Sequence, residues 1–138
     1  MPKELITIGK GAFVNCTALE SVTFTGNEFT TIGNYAFQKC TALKSIALPE
    51  GTLSIGVQAF RDCTALTSFV CPSTLENIGD MAFYNCTGLD VPGALILTAS
   101  ITDIGEFAFN PINKINIVAP ADSYAAKYVS EMKDVEEE

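Results

Sequence analysis

The sequence predicts a solenoid: a right-handed coil of about five repeats of 23–26 residues, with short parallel strands on one face and helical or 3₁₀ turns on the other. Three observations predict it. The tetrad Cys-Thr-Ala-Leu stands at 16–19, 40–43 and 63–66, with the near-copy Cys-Thr-Gly-Leu at 86–89. Phe13, Phe37, Phe60, Phe83 and Phe109 follow one another at intervals of 24, 23, 23 and 26 residues. Within each interval the apolar spacing changes from that of a helical turn to that of a strand.

The elements follow in order from an alignment on phenylalanine. The first copy is Ile8-Gly9, Ala12-Phe13, Cys16, Leu19, Val22 and Phe24. The second is Ile32-Gly33, Ala36-Phe37, Cys40, Leu43, Ile46 and Leu48, and the third is Ile55-Gly56, Ala59-Phe60, Cys63, Leu66, Phe69 and Cys71. The fourth has Ile78-Gly79, Ala82-Phe83, Cys86 and Leu89, then Leu95 and Leu97 after three extra residues. The fifth begins Ile104-Gly105 and Ala108-Phe109. In the first copy, positions 8, 12, 13, 16 and 19 share one face of a helical segment, whereas 22 and 24 are two apart, the period of a strand. Each copy is therefore one coil, and its apolar side is buried only by the next coil. A period in the twenties is that of a leucine-rich-repeat solenoid. Stacking places the phenylalanines in one internal column, the alanine before each keeps that wall thin, and the Ile-Gly step supplies a tight turn without a Cβ clash. In the fifth copy, Ile112-x-x-Ile115-x-Ile117 is read as the strand motif after loss of the cysteine turn, in preference to an ungapped alignment that puts Ile112 in the cysteine place.

The spacing I-G-x-x-A-F-x-x-C-x-x-L, over residues 5–120, resembles the BspA-like leucine-rich repeats of bacterial and protist surface proteins. That resemblance implies a surface adhesion and protein-binding molecule and no particular ligand. It also implies that the Pro-Ser-Tyr stretch near the C-terminus is a native cap.

Cys16, Cys40, Cys63 and Cys86 hold the same inward place, and Cys71 replaces Phe24 or Leu48 on the strand. All five are expected to be reduced and buried, filling the core as small hydrophobes. An odd number in a parallel row is poor disulfide geometry, and a row about 15 Å long cannot converge on a zinc ion. Thr17, Thr41, Thr64 and Thr87 are expected to hydrogen-bond loose backbone groups where the turn ends.

At the C-terminus, Pro120 ends the last strand, Asp122 or Ser123 caps, and Tyr124–Val129 begins a helix whose Tyr124, Tyr128 and Met132 cover the open end of the coil. Residues 1–120 are thus the leucine-rich-repeat solenoid, and 121–138 are a C-terminal capping helix with an acidic tail. The chain starts halfway round a coil, which predicts a piece of a longer surface or secreted precursor. The uncapped first coil predicts a homodimer.

Charge and residue types exclude most chemistry. Net charge is −8, half of it in the last eight residues, and no basic stripe exists to meet nucleic acid. The longest apolar run, Ala94–Ile101, is too short to insert in a membrane, and the first residues carry no secretory signal. The absence of histidine removes the usual nucleophilic triads, and no phosphate loop or metalloprotease motif is present. Asp103 and Glu106 are the nearest carboxylate pair and are expected to be solvated. No cofactor or metal is expected. Asn15-Cys16-Thr17 and Asn85-Cys86-Thr87 match the glycosylation sequon, with the asparagine place expected on the surface.

What remains is an interaction scaffold that binds a protein or peptide. Its expected contact face is the outward strand positions Ser21, Thr23, Thr25, Ser45, Ala47, Pro49, Ser68, Val70, Pro72, Ala94, Ile96 and Thr98, which are small and uncharged. The same residues are equally good strand formers, and repeats that merely space another domain from a cell surface are the alternative, with hydrolase activity a remote third.

Overall fold

A computed structural model describes residues 7–24, 31–110 and 115–137, with the backbone alone for 133–137. Each coil contributes one strand to each of two parallel sheets. One sheet is β1 (Thr7–Ile8), β3 (Thr31–Ile32), β5 (Ser54–Ile55), β7 (Asn77–Ile78) and β9 (Asp103–Ile104), in that order. The other is β2 (Ser21–Val22), β4 (Ser45–Ala47), β6 (Ser68–Val70), β8 (Leu95–Ile96) and β10 (Ile117–Val118). The first sheet is an addition to the expected picture, because the isoleucine of every Ile-Gly step is the inward residue of a strand.

The glycine of that step has a different purpose from a tight turn. A Cβ at Gly33 would lie 2.6 Å from the Ile8 carbonyl oxygen, one at Gly56 2.6 Å from the Asn34 amide, and one at Gly79 2.7 Å from the Gly56 carbonyl carbon. Gly105 faces the Asp80 backbone in the same way, while a Cβ at Gly9 would meet nothing within 4 Å. These glycines allow backbone to lie on backbone between coils. Gly88 shows why the fourth tetrad differs: a Cβ there would fall 2.6 Å from the Leu66 and Thr64 carbonyl oxygens.

Between the sheets runs a wall of single turns. The 3₁₀-type bonds are present, with the N–H groups of Ala12, Val14 and Cys16 donating to the carbonyls of Gly9, Gly11 and Phe13. The alternate N–H groups of Gly11, Phe13 and Asn15 donate across to Asn34, Ala36 and Gln38 of the next coil. A left-handed residue every fourth position makes both patterns possible and prevents a continuous helix. Gly11, Tyr35, Gln58, Met81 and Phe107 form one left-handed column, and Asn15, Lys39, Asp62 and Asn85 form another, with φ between 55° and 65°. A side chain in that region costs about 1 kcal/mol, which the inter-coil bonds offset.

Inside this wall the rings stack as expected, with Phe13–Phe37 and Phe37–Phe60 centroids 5.2 Å apart, Phe60–Phe83 5.5 Å and Phe83–Phe109 5.7 Å. Phe69, from β6, meets Phe60 and Phe83 edge-on. Phe37, Phe60, Phe83 and Phe109 are fully buried, and Phe13 is half-buried at the end of the stack.

The cysteines form a parallel ladder. The thiols of Cys40, Cys63 and Cys86 donate to the carbonyls of Phe13, Phe37 and Phe60 at 3.1, 3.1 and 2.9 Å, so each bridges to the preceding coil. They are hydrogen-bonding groups as well as core fillers. All five thiols are free, and Cys40, Cys63, Cys71 and Cys86 are buried. Cys16 corrects the expectation for the set, because it is half-buried on the first coil. Burial pushes the thiols of Cys63 and Cys71 up to about 12.

Two further expectations change. Ile117 pairs with Leu95 and Val118 with Ile96, so Ile117 takes the place of Val22, Ile46 and Phe69. Ile115, buried, takes the leucine place, and Asn116 donates its N–H to Leu89. The fifth coil is therefore ungapped up to Asn116 and loses one residue before the strand; Ile112 lies outside the described residues. Thr17, Thr41, Thr64 and Thr87 are exposed, and their hydroxyls make no hydrogen bond among the described residues. Their turns are closed by backbone bonds instead, such as Leu43 N–H to Cys40.

Helix α1 (Tyr124–Glu137) follows Pro120 and is capped by Ser123, whose Oγ accepts the Ala126 N–H at 3.1 Å. Tyr128 donates its hydroxyl to the Gly105 carbonyl at 2.7 Å and sets its ring edge-on to Phe109. The Tyr124 hydroxyl accepts the Ile104 N–H at 3.3 Å, and among the described side chains α1 buries Ala125 and Val129.

Two outcomes test this packing. Gly56→Ala is expected to cost about 3 kcal/mol, because backbone lies where the methyl must go. Gly9→Ala is expected to change stability by under about 0.5 kcal/mol; equal urea midpoints for the two variants would refute the glycine column. The second concerns alkali. Below pH 9 folded and unfolded thiols are both protonated and stability is full; between pH 9 and about 12 the unfolded chain ionises while Cys63 and Cys71 stay protonated, so stability falls. The expected slope is about 1.4 kcal/mol per pH unit for each such thiol. Urea unfolding at stepped alkaline pH measures it, and Cys63→Ala should flatten it.

Candidate functional site

The second sheet turns one side chain of each strand inward and the next outward, so its outer surface is a grid of rows running across the strands. The strand register sets the rows. Ser21, Ser45 and Ser68 stand side by side and are exposed. The next row is Thr23, Ala47, Val70, Ile96 and Val118, with Ala47 beside Val70, Val70 beside Ile96, and Ile96 beside Val118. Val70, Ile96 and Val118 are 50, 49 and 48 % exposed, so the row is an uncovered aliphatic ladder at its C-terminal end and small or polar at its N-terminal end.

The structure brings together Ser21, Thr23, Ser45, Ala47, Ser68, Val70 and Ile96 on this surface, as the alternation predicts. Four expected residues move. Ala94 has the predicted register, accepting the Phe69 N–H, but is only 3 % exposed, at the end of a turn that its own N–H closes onto the Val91 carbonyl. Pro72 is buried, and Pro49 and Thr98 are half-buried, since the chain is already bending inward where the strand ends. Thr25 lies outside the described residues. Val118 continues the same outward row and lies outside the expected set. It is the outward position after Ile117 under either alignment of the fifth coil, and the expected face takes no residue from that coil.

The borders of the ladder carry few charges. Glu20 and Lys44, just before β2 and β4, pair at 3.0 Å, and Glu50, just after Pro49, accepts from Ser73 at 2.9 Å. The turn wall carries polar bonds between coils, beside the exposed Val14 and Phe107. The Gln38 amide donates to Gln58 at 2.7 Å, that of Asn85 to Asp62 at 2.9 Å, and Arg61 donates to Gln58 while lying 5.0 Å over the Tyr84 ring. Asn15 and Lys39 are exposed as expected of the sequon position, but Asn85 and Asp62 are half-buried in their mutual bond.

For chemistry the inventory is short. Asp103 and Glu106 are exposed, and Asp80 accepts the Glu106 N–H at 2.8 Å with its side chain. Among the described residues no three histidine, cysteine or acidic side chains group to hold a metal ion, and no helix is long and apolar enough to cross a membrane. The Tyr128 hydroxyl, where α1 meets the solenoid, is raised above its ordinary pKa by burial. What the outer face of the second sheet offers is apolar area at Val70, Ile96 and Val118.

Comparison with known proteins agrees. The leucine-rich repeat protein of T. pallidum superposes with a TM-score of 0.76 at 31 % identity, over 83 % of this chain and 54 % of that one. A leucine-rich repeat protein from Bacteroides ovatus superposes with a TM-score of 0.72 at 30 % identity, over 85 % of this chain and 29 % of that one. The chain thus spans about half the length of the first and less than a third of the second. No match is found among curated proteins. The family model for the BspA type leucine-rich repeat region matches residues 1–116 in six copies. With its stacked coils, its glycine and phenylalanine columns and this match over most of its length, the chain belongs to the BspA-type leucine-rich-repeat family.

Proposed function

We propose that the chain is a non-catalytic adhesion module that binds a partner protein on the outer face of its second sheet, as part of a larger cell-surface protein. One observation carries the reading. Exposed aliphatic side chains stand in register on three adjacent strands, at Val70, Ile96 and Val118. A surface that only had to remain soluble would place charge there, as natural sheets do on exposed strands. The repeat family, a scaffold for protein interaction, and the longer leucine-rich repeat neighbours support it. On this reading residues 1–120 present the face, and 121–138 close the end of the coil. The test is Ile96→Arg with Val70→Arg, set against Phe107→Ser, an exposed apolar residue on the turn wall. Loss of host-cell or matrix-protein adhesion in the first pair alone supports binding. Undiminished adhesion by all of them points to a spacer.

A further inference from the structure

Resting on the reading of the strand face as a binding surface, we infer that its partner presents a basic amphipathic α-helix, which lies across the strands along the row Ala47, Val70, Ile96 and Val118. The strands are two or three residues long and each offers this row one outward side chain, so apolar surface is continuous only across them. Four rungs at the spacing of hydrogen-bonded strands stand at about 0, 4.8, 9.6 and 14.4 Å. Residues i, i+3, i+7 and i+10 of an α-helix lie at about 0, 4.5, 10.5 and 15 Å along its axis, within about 1 Å of every rung. An extended chain turns a side chain down every 6.7 Å or so and misses the second rung by about 2 Å. A polyproline helix repeats every 9.3 Å or so and meets alternate rungs only.

Charge selects the sign of the partner. Among the described residues that flank these strands, Lys44 is committed to Glu20, while Glu50 accepts from Ser73 and pairs with no cation. The whole chain carries −8. Lysine or arginine beside the apolar stripe of the helix therefore approaches a complementary potential, whereas an acidic helix is repelled.

The probe is a blocked peptide of about fourteen residues, with leucine at i, i+3, i+7 and i+10 and lysine and alanine elsewhere. Two companions carry the same leucines at alternate positions, or glutamate in place of lysine. Titration followed by calorimetry and circular dichroism should show that the striped basic peptide binds and gains helicity. Ile96→Lys should weaken binding at least tenfold, and Phe107→Ser should not. Added salt should weaken it, and the glutamate peptide should bind at least tenfold less well. If the alternating peptide binds equally well in an Ile96-dependent way, the helical partner is wrong while the strand face stands. Binding indifferent to Ile96→Lys, or no binding by any peptide, overturns the helical partner, and the adhesion test of the arginine variants then judges the face separately. If Ile96→Lys instead abolishes self-association of the protein, the occupant is a second copy and the inference fails.

Discussion

Everything in this molecule depends on how closely one coil of backbone lies on the next. At the Ile-Gly step the approach leaves no room for a Cβ, as the contacts under 3 Å at Gly33, Gly56 and Gly79 show. That closeness lets Gly33 N–H reach Ile8 and Gly56 N–H reach Ile32, both at 2.8 Å, and the same bonds recur at Gly79 and Gly105. Once this seam is fixed, the other columns fall into register: rings on rings, thiols on carbonyls, turn amides on turn carbonyls. The glycines are thus a geometric constraint, and the apolar core is the energy that the constraint makes available.

The turn wall shows how that energy is spent. Holding Tyr35, Gln58, Met81 and Phe107 left-handed is unfavourable for each residue taken alone. Yet the left-handed residue is what turns the alternate N–H groups outward to the next coil, and those bonds fall at 2.7 to 2.9 Å. In a buried wall an unpaired amide would cost more than the strained dihedral. Strain repeated in every coil is therefore a property of the stack. The cysteine follows the same economy, since its side chain fits a core position and its thiol satisfies a carbonyl that a methyl group would leave with fewer partners.

Much of this was legible in the sequence, because a repeat prints each constraint several times. The phenylalanine column, the inward cysteines, the alternation of β4 and β6 and the capping helix follow from spacing alone. What was not legible has physical causes. A two-residue strand such as Thr31–Ile32 is too short to show a period, so the first sheet stayed hidden inside the Ile-Gly step. Left-handed residues were invisible because tyrosine, glutamine, methionine, phenylalanine, lysine and aspartate fill six of the nine places in the two columns instead of glycine or asparagine. The burial of Ala94, at the end of the turn closed onto Val91, is not encoded in spacing. The last coil was misaligned because preserving a motif looked better than preserving a length. Pairing of Ile117 with Leu95 shows that length prevailed up to Asn116.

The two ends of the second sheet differ in a way that bears on function. Sequence drifts along the outward row from threonine and alanine to valine and isoleucine, while the inward positions Val22, Ile46, Phe69, Leu95 and Ile117 remain apolar throughout. Core packing imposes no such gradient on side chains that point to solvent, and strand propensity would accept threonine at every rung. Helix α1 covers the first sheet at Ile104 and Gly105, through Tyr124 and Tyr128, and among its described side chains buries Ala125 and Val129. Val118 is left uncovered on the last strand of the second sheet. The cap thus closes the core where closure is needed for stability, and the aliphatic row ends beside it still open to solvent.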